Sequence, residues 1–224
     1  MRITVTEDGP YLVSGNVPLV RVEIATNEAG ESVAWREVER IPVADSYALC
    51  RCGASADKPF CDFTHVTVGF EGAETAAGDP FFEGSACIDG PGLKLRDARE
   101  LCAEARFCDR DGGLWNNIRN AADPEVRARC EEQAAACPSG RYVVCDEDGE
   151  TAHEPVFEPS IALIEDPSLG VSGPLWVRGG IAVIGADGRA YEIRNRVTLC
   201  RCGQSGNKPF CDGRHIEAGF VDKP

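Results

Sequence analysis

Residues 50–65 read Cys50-Arg51-Cys52-Gly53-Ala54-Ser55-Ala56-Asp57-Lys58-Pro59-Phe60-Cys61-Asp62-Phe63-Thr64-His65, and residues 200–215 read Cys200-Arg201-Cys202-Gly203-Gln204-Ser205-Gly206-Asn207-Lys208-Pro209-Phe210-Cys211-Asp212-Gly213-Arg214-His215. One sixteen-residue pattern is written twice, with eleven positions identical, and every cysteine and histidine of the window is among them. Cys-x-Cys sets two thiolates on one short extended segment, close enough to chelate one metal atom. The third cysteine and the histidine stand four apart, Cys61 with His65 and Cys211 with His215, so one helical turn brings both donors to one face. Asp62 and Asp212 follow the third cysteine, where a carboxylate caps the first free N–H groups of that turn. Lys58-Pro59 and Lys208-Pro209 stiffen the loop between the donor pairs, because proline fixes its own φ and restricts the residue before it. Spacing alone leaves two chemistries open: an iron–sulfur cluster, or a structural Cys3His zinc site.

These residues resemble the CDGSH iron–sulfur (NEET-type) domains, whose motif is Cys-x-Cys, a Ser or Thr three residues on, a proline, and Cys-Asp-Gly-Ser-His or a close variant. The resemblance implies a [2Fe-2S] cluster in each copy, with Cys50 and Cys52 on one iron and Cys61 and His65 on the other. Cys200 and Cys202, then Cys211 and His215, follow likewise. Both copies depart from the pattern near its end. Phe63-Thr64 stands for Gly-Ser in the first, where Phe63 is expected to shield the cluster, and Arg214 stands for Ser in the second, where it is expected to add positive charge. No ligand is lost.

The repeat reaches beyond the ligands. Gly9-Pro10-Tyr11-Leu12-Val13-Ser14-Gly15-Asn16-Val17 is echoed by Gly173-Pro174-Leu175-Trp176-Val177-Arg178-Gly179-Gly180-Ile181, each a few strands before its metal motif. Two copies of one small β module are expected. The resembling family forms a homodimer with intertwined strands, which implies that this chain builds that arrangement from its own halves as an intrachain pseudo-dimer. Residues 3–49 read as strands separated by turns, and Tyr191, Ile193, Val197 and Leu199 as one face of a strand running into Cys200.

Residues 71–85 read as a linker, and a different motif follows. Cys102 and Cys108 form a Cys-x5-Cys unit, and Cys137-Pro138 lies downstream. On the bacterial ferredoxin grid of Cys-x2-Cys-x2-Cys with a remote Cys-Pro, Cys102 is the first ligand, Cys108 the third and Cys137 the remote one, while the second position is Ala105. Residues 93–144 thus resemble a divergent single-cluster ferredoxin, which implies a [3Fe-4S] cluster, or [4Fe-4S] if a fourth ligand exists. Asp123-Pro124-Glu125-Val126 is a helix start and Arg141 to Val144 a strand. Cys130 and Cys145 read as core thiols, Cys87 as the best candidate for a fourth ligand, and His153 as a solvated residue. The alternative for the whole segment is buried structural cysteines without a cluster. Residues 146–172 read as a connector around the apolar run 156–164.

The expected organisation is α+β and β-rich: a CDGSH-type module over 1–70, linker and ferredoxin-like segment over 71–155, connector and second module over 156–224. The chain has 224 residues and a formal net charge of −14, which repels phosphate backbones and anionic lipid, so neither nucleic acid nor membrane is an expected partner. Its start carries no apolar signal core, no run of apolar residues is long enough to span a bilayer, and the N-terminal anchor of membrane-bound relatives is not seen, so a cytoplasmic location is expected. No phosphate loop, dinucleotide fingerprint or nucleophile elbow is found. The expectation is an electron carrier, not an enzyme, that works as a monomer with a reductase or acceptor. The alternatives are cluster transfer to an apo-protein, iron storage, or redox sensing. Histidine ligation is expected to make the clusters acid-sensitive, because protons compete with iron for the imidazole.

Overall fold

The computed structural model describes residues 1–222 of a mixed α/β chain made mostly of strands. The first part supplies β1 (Arg2–Val5), β2 (Tyr11–Ser14), β3 (Leu19–Thr26), β4 (Ser32–Ile41) and β5 (Ser46–Leu49), followed by the short helix α1 (Thr64–Thr67). The middle supplies α2 (Phe81–Gly84), β6 (Ala86–Gly90), β7 (Leu93–Asp97), α3 (Leu114–Asn117), α4 (Pro124–Ala136) and β8 (Tyr142–Cys145). The last part supplies β9 (Ser160–Asp166), β10 (Val171–Arg178), β11 (Ala182–Ile184) and β12 (Arg196–Leu199). Strands β5 and β12 each end one residue before a Cys-x-Cys.

The two ends of the chain share their sheets. One sheet runs β11-β1-β2-β5, another β12-β10-β9-β3-β4, and β6-β7-β8 form a third. Strand β11 lies parallel to β1, with Arg2 opposite Ala182, and β3 lies parallel to β9, with Leu19 opposite Ile161. The second half therefore lends β11 to the first half's sheet, and the first half lends β3, with β4 at its outer edge, to the second's; β11 beside β1 and β3 beside β9 hold the same relative place. The hairpin pairs match too: β2 is antiparallel to β5 with Tyr11 opposite Leu49, and β10 is antiparallel to β12 with Leu175 opposite Leu199.

Alternation in the sequence sorts the core into two layers. Leu19, Ile161, Leu163, Leu175, Val177, Val197 and Leu199 meet Ile3, Val5, Tyr11 and Val13 between the first two sheets. Val20, Val22, Ile24, Ala162, Ile164 and Trp176 point the other way and pack on Ala105 and Phe107 of the middle segment. Strand β9, covered on both faces, reads as an unbroken apolar run, the pattern of a strand with no solvent side. That run is why residues 156–164 look like a connector in the sequence; the structure puts their second half at the centre of the largest sheet. The expected strand before Cys200 is shorter than the sequence suggests, since Tyr191 to Asn195 are irregular and Ile193 is exposed.

The middle segment has its own core of Leu93, Leu95, Leu114, Ile118, Ala121, Cys130, Ala134, Tyr142 and Val144. Asp123 caps α4 by accepting from the Glu125 N–H at 2.8 Å, with Pro124 at the first helical position. Because α4 delivers Cys137 at its C-terminal end, this cap also holds a candidate ligand. Asp123→Ala is expected to cost about 1 kcal/mol; a denaturation midpoint equal to wild type would refute the cap's contribution. Residues 71–80 carry no regular element but are tied down: Gly72 C=O accepts from Arg51, the N–H groups of Thr75 and Ala76 donate to Lys208 C=O, and Glu74 accepts from Tyr191 Oη and Ala186 N–H. Among the described residues no helix is long and apolar enough to cross a membrane.

Candidate metal centres

In both motifs the chain leaves its strand at the first cysteine and folds back on it. Cys50 N–H donates to Pro59 C=O at 2.8 Å and Cys61 N–H to Ala48 C=O at 3.0 Å; Cys200 and Cys211 do the same to Pro209 and Thr198, each at 2.9 Å. Ser55 and Ser205 hydroxyls lock the loops by donating to Phe60 and Phe210 C=O, both at 2.7 Å. The Asp62 carboxylate accepts from Ala56 N–H at 2.8 Å and Thr64 N–H at 3.0 Å, and Asp212 accepts from Gly206 and Arg214. The aspartates thus cap the turns as the sequence suggests, although only the first copy completes a helical turn, α1.

The donors come out in pairs. Cys50 Sγ lies 3.6 Å from Cys52 Sγ, and Cys61 Sγ lies 3.4 Å from His65 Nδ1. In the second copy the separations are 3.7 Å for Cys200 and Cys202, and 3.5 Å for Cys211 and His215. Two sulfurs on one tetrahedral ion with bonds of about 2.3 Å stand about 3.75 Å apart, and a sulfur and an imidazole nitrogen about 3.5 Å. Each pair is therefore at chelating distance for one metal atom. Among the described residues, no three Cys, His, Asp or Glu side chains converge on a single ion.

Beneath each site lies an arginine. Arg51 is buried and donates to Gly9, Gly72 and Thr6 C=O at 2.7–2.8 Å, with Tyr11 and Phe70 against its guanidinium. Arg201 donates to Gly173 and Ile164 C=O and pairs with Asp222 and Glu165, with Phe220 against it. Alternation along the extended segment sends this side chain inward while the flanking cysteines face the other way. The motifs also touch back to back. Gly53 (φ +78°) and Gly203 (φ +80°) pack on each other's partner segment, where a Cβ would lie 2.5 Å from Cys202 O and 2.4 Å from Cys52 O. Only glycine fits either place. Tyr11 Oη crosses the seam to donate to Cys200 C=O at 2.8 Å, while Leu175 occupies the matching place in the second half.

The two sites differ in exposure. Cys200, Cys202, Cys211 and His215 are all buried, whereas Cys52, Cys61 and His65 are half-buried. Burial, reinforced by Arg201, pushes His215 down to about 4, so its imidazole stays neutral and free to bind metal over a wide range. Burial drives Cys211 up, and it raises Cys50 and Cys61 as well. Cys200 falls to about 6 because the Cys202 thiol hydrogen-bonds its thiolate, and Cys202 rises for the same reason. Phe63 does not enclose the first site: its side chain is 72% exposed, its ring 6.0 Å from that of His65. Its backbone sits at φ +68°, a left-handed conformation that costs a side chain of this size about 1 kcal/mol. Arg214 pairs with Asp212 at 3.3 Å, which offsets the charge expected of it.

In the middle segment, Cys102, Cys108 and Cys137 line one pocket together with Ala105, Pro138 and Arg141. Phe107, buried against Trp35, pins the 102–108 loop to the central sheet, and Arg106 pairs with Asp166 at 2.7 Å. Leu114 N–H donates to Cys108 C=O at 2.8 Å. Arg196, reaching across from β12, donates to Cys137, Ala134 and Tyr142 C=O and pairs with Glu154. Arg141, held by Asp97 at 2.6 Å, stands beside Cys102 and Cys108. Burial pushes Cys102 up to about 11 and Cys108 higher still. The sequence's fourth-ligand candidate is elsewhere: Cys87 is exposed on β6, opposite Arg96. Cys130 and Cys145 are buried in apolar clusters and do not line the pocket, as expected of core thiols, although Cys108 and Cys137 pack against the cluster that holds Cys130. His153 is not simply solvated, since Glu131 and Asp146 flank its ring at 3.1 and 2.9 Å. This pocket abuts the second motif. Asn207 donates to Glu100 C=O at 3.0 Å, and a Cβ on Gly213 would meet Glu104 Cγ at 2.6 Å and Cys102 O at 3.3 Å.

The arginines are what the sequence reading passed over. Arg51 and Arg201 were legible as the identical non-ligand between two ligands; Arg196 carries no local signal, because its partners lie about sixty residues away.

Comparison with known proteins agrees with this layout. Residues 8–66 and 172–216 match the family described as iron-binding zinc finger CDGSH type, and residues 88–147 match that described as divergent 4Fe-4S mono-cluster. No curated protein and no solved structure matches the chain. Two regions of the chain thus carry the pattern of the CDGSH iron-binding family, with a region of the divergent 4Fe-4S mono-cluster family between them.

Proposed function

We propose that this iron–sulfur protein is a one-electron carrier with three centres on one chain. Cys50, Cys52, Cys61 and His65 would hold one [2Fe-2S] cluster, Cys200, Cys202, Cys211 and His215 a second, and Cys102, Cys108 and Cys137 a [3Fe-4S] or [4Fe-4S] cluster. Such groups supply one-electron redox chemistry, tuned by ligand charge, hydrogen bonds and solvent access. The observation that carries the reading is the pairing of donors: two chelating pairs per motif suit two metal atoms, whereas a zinc site needs all four donors around one ion. At the middle pocket, three cysteines and an alanine at the second grid position favour the three-thiolate cluster, although the matched family is described as 4Fe-4S.

The chain's own residues bind, insulate and align these centres. Arg51 and Arg201 fix the Cys-x-Cys segments from beneath, and Arg141 places positive charge beside Cys102 and Cys108, opposing in part the rise that burial gives them. The reciprocal glycine contacts join the two motifs, and the Gly213–Glu104 contact joins the second motif to the middle loop. The exchange of β3 and β11 between the halves supports an intrachain pseudo-dimer, with the middle segment inserted as a ferredoxin-like unit.

Iron, zinc and acid-labile sulfide per chain on protein purified without oxygen test this. About seven irons with matching sulfide are expected, or about eight with a full [4Fe-4S]; zinc without sulfide would sink the proposal. A second reading, donation of a cluster to an apo-protein, is favoured by the half-open Cys61 and His65. Transfer to an apo-ferredoxin that His65→Cys abolishes would select it.

A further inference from the structure

The two motifs share their ligands and most of their loop hydrogen bonds, yet their outer faces are finished differently. On the second, the 102–108 loop lies against Gly213 and the ligands are buried. On the first, Phe63 stands where the other copy has Gly213, and the equivalent face is uncovered. Phe63, Val66 and Val68 are 72%, 73% and 54% exposed, an apolar surface around the half-buried His65. Phe63 keeps a left-handed backbone that glycine would adopt freely. A strained, exposed aromatic beside a metal ligand points to use by something outside the chain.

The charge around the patch narrows what that is. Between Lys58 and Lys94 the chain has no lysine or arginine, while Asp62, Glu71, Glu74, Asp79, Glu83 and Asp89 fall in that span. Asp57, Asp62 and Glu71, all exposed, flank the patch along the chain. An acidic rim repels a second copy of this acidic protein and attracts a basic one. The middle loop on the second motif shows what such an occupant looks like: a redox-site loop seated on the histidine face.

We infer that the Phe63–Val66–Val68 face is the docking surface for a small redox protein that presents an apolar patch ringed by basic side chains. The inference rests on the electron-carrier reading above. Phe63 is the central contact, its ring 6.0 Å from that of His65.

The test uses ferric cytochrome c, a basic protein with an exposed apolar haem edge, and a small dye acceptor, dichlorophenolindophenol. The full chain is reduced with dithionite and freed of excess reductant. One electron then leaves the chain and converts ferric to ferrous haem. Wild type is expected to reduce both acceptors, with the cytochrome rate falling as salt rises. Phe63→Ala is expected to slow cytochrome reduction about ten-fold with unchanged iron content and an unchanged dye rate; Val66→Ser should act in the same direction. Equal cytochrome rates for wild type and both variants would overturn the docking surface while leaving the carrier reading intact. Failure of wild type to reduce either acceptor would overturn the carrier reading itself, and the surface with it. A wild-type dimer in solution that Phe63→Ala converts to monomer would overturn the surface in favour of a second copy.

Discussion

Replacing Arg196 by methionine is expected to empty the middle site and leave the two CDGSH-type sites loaded. Arg196 is buried, donates to three backbone carbonyls and pairs with Glu154, so its loss leaves acceptors and a carboxylate without their cation. Breaking a buried charge pair of this kind costs about 3–5 kcal/mol, a large part of the roughly 5–15 kcal/mol that holds a domain together. The loss falls on the seam, because the carbonyls belong to α4, Cys137 and β8 while the guanidinium belongs to β12. Iron should fall to about four per chain, the complement of two [2Fe-2S] sites. A variant with wild-type iron and a wild-type melting temperature would show that Arg196 is not what joins the segment to β12.

Acid should separate the two CDGSH-type sites. His215 is 4% exposed and held down to about 4, so above pH 5 few protons compete with metal for its nitrogen. His65 is half-buried, so water reaches the first site's outer donors, whereas the second site's are closed off. At about pH 5.5, iron is expected to leave the first site within the assay while the second keeps its complement. His65→Cys should abolish the early phase, and His215→Cys should leave it in place. Equal release from both sites would refute the argument. For the apo-protein the sign follows from the same shift: below about 6.5 the unfolded chain takes a proton that buried His215 refuses. Stability is therefore full above that pH and declines as it falls toward 4.

The sequence disclosed the parts that are local. The paired donors, the capping aspartates, α4 with its Asp123-Pro124 start and the three cysteines of the middle pocket depend on neighbours within a few residues, and spacing reveals such things. What stayed hidden depends on distant chain. Strand β9 looked like a connector because both its faces are covered, one by the other half's strands and one by Phe107 and Trp176, so no alternation marked it. The unequal exposure of His65 and His215 was equally invisible, since nothing local shows that the 102–108 loop lies against one motif and not the other. Phe63 was read as a shield because a phenyl ring beside a metal suggests cover; its left-handed backbone turns it outward instead.

The exchange of β3 and β11 has a bearing on how the protein is made. Strand β1 waits for residues 182–184 and β3 for residues 160–166, so during synthesis the leading half has open strand edges until most of the chain has left the ribosome. Pairings of such separation form slowly, and unpaired edges attract other chains meanwhile. A nascent chain in that state has its first four donors on an unfinished scaffold until residues 160–184 have emerged to complete it.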